Sequence, residues 1–132
     1  MTFPTSPRRV IKFRLRQGKE IVGYEWWWYG NVEQGPKWLY STDNIHWSTE
    51  FIPHTDKDQF IGLPDKDGKE IYGGDIIENA KGVRLEIYWD EGACAFGQRT
   101  KDDRLSLAYN WKKVIGNICQ NPELLEEEND EC

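Results

Sequence analysis

Apolar and polar residues alternate with a period of two along several stretches of the chain, whereas the helical period of about 3.6 is rare. The alternation is clearest over residues 11–16, 83–89 and 105–111, and each stretch is predicted to form a half-buried antiparallel strand. Gly, Pro, Asn and Asp residues between the stretches mark turns. Short strands with turns at this spacing indicate a meander, a small barrel or a roll.

One helical signal lies near the C-terminus. Asn121 can cap a helix, Pro122 suits its first position, and Glu123 complements the helix dipole. We therefore predict one or two helical turns from residue 121 to about residue 128. The expected fold is mainly β, with antiparallel strands and this single short helical turn.

The length of 132 residues is that of one ordinary domain. Seven Trp, six Tyr and five Phe supply enough apolar area for a core, although the chain is hydrophilic on average. No apolar run has the length of a membrane span, and no apolar signal core follows Arg8 and Arg9. Three widely spaced cysteines argue against a disulfide framework and favour a reducing cytoplasm. These features predict a cytoplasmic domain without membrane contact.

Charge is unevenly distributed along the chain. Residues 123–132 carry six acidic and no basic residues, so the formal net charge of −6 lies in this tail. The rest of the chain has as many basic as acidic residues, and its basic residues cluster near the N-terminus, where Arg14 and Arg16 lie. Two interpretations of this cluster stay open, namely solvated charge on the outer face of one strand and a contact with nucleic acid.

Four consecutive aromatic residues, Trp26, Trp27, Trp28 and Tyr29, lie in one predicted strand. Successive side chains of a strand face opposite ways, so both faces of this strand are aromatic. A small one-layer barrel cannot bury both faces, and a second layer, a partner or a binding surface has to account for one of them. We interpret most Trp residues as core and at least one as a contact residue. The candidate binding residues are Trp27, Tyr29, Arg14, Arg16, Trp38 and Trp47.

Residues with catalytic or metal-binding chemistry are present but lack the required spacing. His46 and His54 form no short ligand pair with each other or with a cysteine, and Cys94 and Cys119 are interpreted as small buried residues. The loop at 64–70 has acidic residues, but lysines interrupt them and a calcium loop is not predicted. No catalytic residue, metal or cofactor is therefore expected, and the chain is not predicted to be an enzyme.

The sequence QFIGLPDKDGKEIYGGDII, at residues 59–77, is a turn-rich segment between two apolar stretches. Gly62 and Gly68 are predicted to permit backbone geometry that a side chain would block, and Asp75 to cap the adjacent turn, so the segment is interpreted as an architectural corner. It resembles the hallmark of the YopX family of phage and prophage proteins. Three further blocks, VIKFR (10–14), EWWWYGN (25–31) and VIGNICQNPELL (114–125), are similar to blocks of that family in the same order. The chain departs from the pattern at Ile61, where Thr is usual, and at Gly73, where Glu is usual.

The resemblance implies a mainly β protein with an SH3-like small barrel, encoded by a phage or prophage and acting in the cytoplasm of the host bacterium. It implies a single domain over residues 1–125, with an N-terminal β segment at 8–55 and a barrel segment at 56–120. The acidic tail at 126–132 is expected to be flexible. It implies no catalytic residue, because the family has no established activity.

We therefore expect a non-enzymatic accessory protein that binds a host or phage protein. Two alternatives stay open. One is a binder of a small ligand, such as a nucleotide signal of host defence, through aromatic stacking and arginine contacts to phosphate. The other is a nucleic-acid-binding protein that uses the basic first strand. Association of the chain with a second copy of itself also stays open.

Overall fold

The computed structural model describes residues 10–100, 105–106 and 111–125. Within these ranges the chain forms two five-stranded antiparallel sheets and one 3₁₀ helix, Pro122–Leu125. The first sheet has the order β3-β2-β1-β4-β5 and contains β1 Lys12–Gln17, β2 Glu20–Trp28, β3 Lys37–Ser41, β4 Asp56–Pro64 and β5 Glu70–Tyr72. The second has the order β10-β6-β7-β8-β9 and contains β6 Asp75–Asn79, β7 Arg84–Asp90, β8 Ala95–Arg99, β9 Leu105–Ser106 and β10 Trp111–Asn117.

The first strand, β1, lies at the centre of the first sheet. It pairs with β2 on one side and with β4 on the other, and a bulge shifts the β1–β2 register between Leu15 and Arg16. Gly18, with a φ of 62°, occupies the turn from β1 to β2, where a residue with a side chain would be strained. The predicted strand at 11–16 is thus confirmed, as is the strand at 83–89, which is β7.

The apolar core joins the second sheet to the β4–β5 hairpin. Ile71 of β5 is fully buried against Ile77, Leu85, Ile87 and Val114, while Ile61 and Phe96 pack on the same cluster. These side chains are the alternate, inward-facing positions of their strands, as the period of two predicts. The hairpin of the first sheet therefore covers the second sheet.

The segment at 59–77 forms the corner between the two sheets, as predicted. The N–H of Gly73 donates to the carbonyl of Gln59 and that of Gly74 donates to Ile87, both at 2.8 Å. The carbonyl of Gly74 accepts the N–H of Ile118, also at 2.8 Å. Gly74 has a φ of 88°, so glycine permits the chain to leave β5 and enter β6 at this point.

The predicted fold class is confirmed at the coarse level. The protein is mainly β with antiparallel sheets, but the described strands show no closed barrel, so the SH3-like barrel stays a prediction. The predicted helical turn is present as Pro122–Leu125, and residues 126–132, including the acidic tail, lie outside the described residues. No helix in the described ranges is long and apolar enough to cross a membrane.

The strand predicted at 105–111 differs in the structure. Residues 105 and 106 form the short β9, whereas Trp111 begins β10, which continues to Asn117. Residues 107–110 lie outside the described part of the chain. The structure also shows that β4, which begins the predicted barrel segment at 56, pairs with β1, so the first sheet draws strands from both predicted segments.

Candidate functional site

The two faces of the first sheet carry different chemistry. Directly paired residues of neighbouring antiparallel strands point to the same side. The pairs Phe13–Glu25 and Trp27–Trp38 therefore place three aromatic rings on one face. The opposite face carries Arg14 and Trp26 and is turned towards the second sheet, because Arg14 of β1 contacts Asp75 of β6.

Four charged side chains form a buried ion network between the sheets: Arg14, Arg16, Asp58 and Asp75. Both arginines are buried, with 7 % and 6 % exposure. Arg14 donates through Nη1 to Asp75 at 2.6 Å, and through Nε and Nη2 to Asp58 Oδ2 at 3.1 and 2.9 Å. Arg16 donates through Nε to the same Asp58 oxygen at 3.0 Å. The interpretation of these arginines as solvated charge is wrong, because the second sheet covers their face.

The electrostatics of the network hold both arginines charged. Burial lowers the pKa of Arg14, but Asp75 and Asp58 outweigh this effect and raise the pKa above its usual value. Burial raises the pKa of Asp75, and the opposing field of Arg14 offsets this only in part. Two arginines and two aspartates balance within the network, so its guanidinium groups are already engaged by carboxylates.

A second polar cluster extends the network along the same face. Lys12 donates to Glu70 at 2.9 Å and to Asn44 at 3.2 Å. Glu70 also accepts hydrogen bonds from Asn44 at 2.9 Å and from the Tyr72 hydroxyl at 2.8 Å. Burial would raise the pKa of Glu70, but the hydrogen bonds from Lys12, Asn44 and Tyr72 lower it. Lys12 is thus also paired with a carboxylate, so a third residue of the basic cluster near the N-terminus is engaged within the fold.

The aromatic patch, defined as Phe13, Trp27 and Trp38, lies on the outer face of the first sheet. The rings of Trp27 and Trp38 are edge to face with centroids 5.1 Å apart, and Phe13 lies 6.2 Å from Trp38. The Lys57 ammonium lies 4.5 Å from the Phe13 ring centroid and 5.7 Å from that of Trp38. Its salt bridge to Glu25, at 2.9 Å, holds it there. Trp38 is 37 % exposed, so the patch faces solvent.

The other end of the same face is covered by the chain itself. Ser48 pairs with Tyr40 through two backbone hydrogen bonds of 2.7 and 3.0 Å, and the Phe51 ring packs on Tyr40 at 5.2 Å. Leu15, on this face of β1, is fully buried. The segment at 48–55 therefore acts as a partial second layer, and the aromatic patch is the part of the face that it leaves open.

The structure divides the six predicted site residues into separate groups. Trp27 and Trp38 share the aromatic patch, and Tyr29 directly follows the strand that carries Trp27. Trp47 lies on the opposite side of the sheet, where its ring packs on Trp26 at 5.4 Å. Arg14 and Arg16 lie in the buried ion network. Trp27 and Trp38 are therefore the two predicted site residues that the fold brings together on an exposed face.

Two residues of the exposed face were not predicted from the sequence. Phe13 lies in the stretch predicted as a half-buried strand and was not a candidate binding residue, and Lys57 lies forty-four positions further along the chain. Only the register of β1 with β4 brings them together. Of the two cysteines described, Cys119 is buried as expected, whereas Cys94 is exposed in the turn after β7, so that prediction is wrong.

The acidic loop at 64–70 is a hydrogen-bonded turn organised by Asp65. Its Oδ1 accepts the N–H groups of Asp67 and Lys69, both at 2.9 Å, and its Oδ2 accepts the N–H of Val114 at 3.0 Å. One buried carboxylate thus closes the turn and attaches it to β10. Among the described residues no cluster of His, Cys, Asp and Glu is suited to a metal ion.

Acid should weaken the fold through Asp65. Burial raises its pKa, but the three backbone N–H donors outweigh this and hold the pKa below the usual value. A carboxylate with a lowered folded-state pKa stabilises the protein above its unfolded pKa of about 3.9, and this contribution is lost as the pH falls through the folded value. Glu70 acts in the same direction, whereas Asp75, whose pKa is raised, acts in the opposite one.

We therefore expect the free energy of unfolding, measured by urea denaturation, to fall more steeply between about pH 5 and pH 2 in the native chain than in Asp65→Asn. Asp67→Asn is the matched control, because Asp67 is an exposed carboxylate in the same turn. Equal slopes for Asp65→Asn and the native chain would contradict the assignment.

The fold and the site are those of a mainly β protein with two antiparallel sheets joined at Gly73 and Gly74. It has a buried ion network between the sheets and an aromatic patch on the outer face of the first sheet. The family model described as YopX protein matches residues 9–126. The chain belongs to the YopX family. No curated protein matches the chain.

Proposed function

We propose that the protein is a phage- or prophage-encoded accessory protein that acts in the host cytoplasm and binds a host or phage protein through the aromatic patch. The observation that carries the proposal is Trp38, an indole 37 % exposed on a regular strand and supported from the side by Trp27. Trp and Tyr supply a large share of the energy of protein interfaces, mainly from central, well-packed positions. A ring held in place by a neighbouring ring also loses little side-chain entropy on binding.

The chemistry of the patch favours a protein partner over a polyanion. Its centre is apolar, and its one described ammonium group, Lys57, is already bound to Glu25. Phosphate-driven binding needs several free basic groups, and Arg14 and Arg16 are engaged by Asp58 and Asp75. A partner with an apolar anchor that packs on Trp38 fits best. The SH3-like barrel is part of this proposal and is supported by the packing of the β4–β5 hairpin on the second sheet.

Capture from a host lysate with single-site variants tests the proposal. Trp38→Ala should lower the affinity for the captured partner at least tenfold, since removal of a central Trp from an interface costs about 2 kcal/mol or more. Trp89→Ala is the matched control, because Trp89 is also exposed, at 47 %, but lies on the second sheet. Its variant should bind as the native chain does.

Two results would contradict the proposal. One is equal binding by the native chain and Trp38→Ala, with both folded by circular dichroism. The other is a partner that proves to be a second copy of the chain, seen as a dimer in sedimentation that Trp38→Ala converts to a monomer. In that case the patch would serve assembly rather than recognition of another protein.

A further inference from the structure

A polar cavity of about 590 Å³ lies on the side of the first sheet opposite the aromatic patch. Arg14 of β1 and Tyr24 of β2 contribute to its lining, together with Lys69 from the turn before β5 and Glu70 from the start of β5. Gln120 and Asn121, which follow β10, complete it. Its volume is within the range of about 300–1,000 Å³ that small-molecule sites occupy.

Three of the four segments that resemble YopX blocks meet at this cavity. Arg14 comes from residues 10–14, Lys69 and Asp75 come from 59–77, and Asn117 and Asn121 come from 114–125. These segments are far apart in the sequence, and the corner at Gly73 and Gly74 brings them together. The segment at 59–77 is therefore the wall of a cavity as well as an architectural corner.

Most charged groups of the lining have partners within the fold. Asp75 is paired with Arg14, and Glu70 accepts hydrogen bonds from Lys12, Asn44 and Tyr72. Neither carboxylate is left to attract a cation. Lys69, in contrast, forms no salt bridge within the described part of the chain, and the Asp65 carboxylate of the same turn acts on it only from beyond ion-pair distance, so its ammonium group is open to a ligand.

The remaining polar groups of the lining are hydrogen-bond donors. The Oδ1 of Asn121 accepts the N–H of Asn117 and the Oε1 of Gln120 accepts the Asn117 amide, and neither NH₂ group donates to another of the described residues. The Tyr24 hydroxyl makes no hydrogen bond to another described residue. Burial raises the pKa of Tyr24, although Arg14 opposes this, so the hydroxyl keeps its proton at neutral pH. Hydrogen-bond donors together with the Lys69 ammonium group suit a ligand that is rich in oxygen acceptors.

We propose that this cavity binds a small molecule with an oxyanion head group, a phosphate or a carboxylate, on a polar body of sugar or nucleotide size. Lys69 supplies the counter-charge, and Tyr24, Gln120 and Asn121 supply hydrogen bonds. The cation of this site is Lys69, and not Arg14 or Arg16, which serve the buried ion network. The site is separate from the aromatic patch and does not depend on the function proposed for it.

Thermal denaturation with four probes tests the proposal: adenosine 5′-monophosphate, adenosine, D-glucuronate and inorganic phosphate. A ligand that binds only the folded state raises the melting temperature, and millimolar probe well above its Kd should raise it by about 3 °C or more. We expect this shift with adenosine 5′-monophosphate or with D-glucuronate, and not with adenosine. The phosphate and carboxylate probes then identify the head group.

Lys69→Gln and Tyr24→Phe should each remove most of the shift. Lys66→Gln is the matched control, because Lys66 is an exposed lysine of the same turn that does not line the cavity. Trp38→Ala should retain the full shift, which separates this site from the aromatic patch.

Three results would overturn the proposal: no shift with any probe, an equal loss of the shift in Lys66→Gln and Lys69→Gln, or the full shift with inorganic phosphate alone. The second result would indicate a general charge effect, and the third would indicate an adventitious ion only. Isothermal titration of the native chain and Lys69→Gln gives the Kd directly and should show at least a tenfold difference.

Discussion

Asp75→Asn is expected to lower the free energy of unfolding by about 3 kcal/mol, because an amide cannot accept the buried hydrogen bonds of both Arg14 and Tyr72, which the two Asp75 oxygens accept. Asp75 is 1 % exposed and lies 2.6 Å from the Arg14 guanidinium, so water cannot reach the guanidinium there and take the place of the carboxylate. Its other oxygen accepts the N–H of Tyr72 at 2.8 Å and caps the turn into β6, as predicted from the sequence. Asn has a single acceptor oxygen, so if it keeps that bond its NH₂ group faces the Arg14 guanidinium, and the loss includes the Arg14 hydrogen bond as well as the charge. Urea denaturation with a fixed m-value measures it.

The double variant Arg14→Met/Asp75→Asn distinguishes charge imbalance from lost packing. Arg14→Met alone leaves Asp75 unpaired, whereas the double variant leaves Arg16 paired with Asp58 and no excess charge. We expect the double variant to be more stable than the sum of the two single losses predicts, by about 1–3 kcal/mol. Strict additivity would show that Arg14 and Asp75 contribute independently. Asp67→Asn, at an exposed carboxylate, should stay within about 0.5 kcal/mol of the native chain.

The sequence was sufficient to predict the strand character of β1 but not the environment of its polar face. A period of two shows which residues share a face, and Arg14 and Arg16 do share one. What covers that face depends on partners far along the chain, since Asp58 is 44 residues and Asp75 is 61 residues from Arg14. A usable signal was present, because Asp75 stands directly before two isoleucines, Ile76 and Ile77.

The aromatic patch shows that the sequence predicts which aromatic residues lie in strands but not which of them share a face of the sheet. Trp27 and Trp38 were both proposed as contact residues, and the β2–β3 register places them side by side. Trp47 was grouped with them by residue type alone, and the fold puts it beneath Trp26 on the other face. The segment at 59–77 was the most predictable part, since turn residues and capping aspartates act locally.

The two faces of the first sheet are held in place by the same strands. On one face the ion network fixes β1 against β4 and β6, and on the other the Lys57–Glu25 salt bridge fixes β4 against β2. A shift of β1 along either neighbour would therefore disturb both the cavity and the aromatic patch. Substitutions in the network should be tested for stability before any loss of binding is assigned to a contact.

Gly30→Ala is expected to lower the free energy of unfolding by about 3 kcal/mol. Gly30 has a left-handed backbone conformation, and an added Cβ would clash with the backbone of the turn that follows. It follows β2 with a φ of 85°. A Cβ there would overlap the carbonyl oxygen of Gln34 and lie 2.7 Å from the carbonyl carbon of Gly35. The turn cannot move away freely, because Asn31 donates its N–H to the Gln34 carbonyl at 2.8 Å and accepts the Gln34 N–H through its side chain.

Gly35→Ala provides the matched control within the same turn, since nothing lies within 4 Å of the Cβ it would add. It should unfold within about 0.5 kcal/mol of the native chain. Because the turn sets the β2–β3 register, Gly30→Ala should also alter the near-ultraviolet circular dichroism of the Trp27–Trp38 pair and weaken partner capture in the same protein. Equal urea midpoints for the two alanine variants would show that the backbone at Gly30 relaxes without cost, and the turn would then not be what positions Trp38.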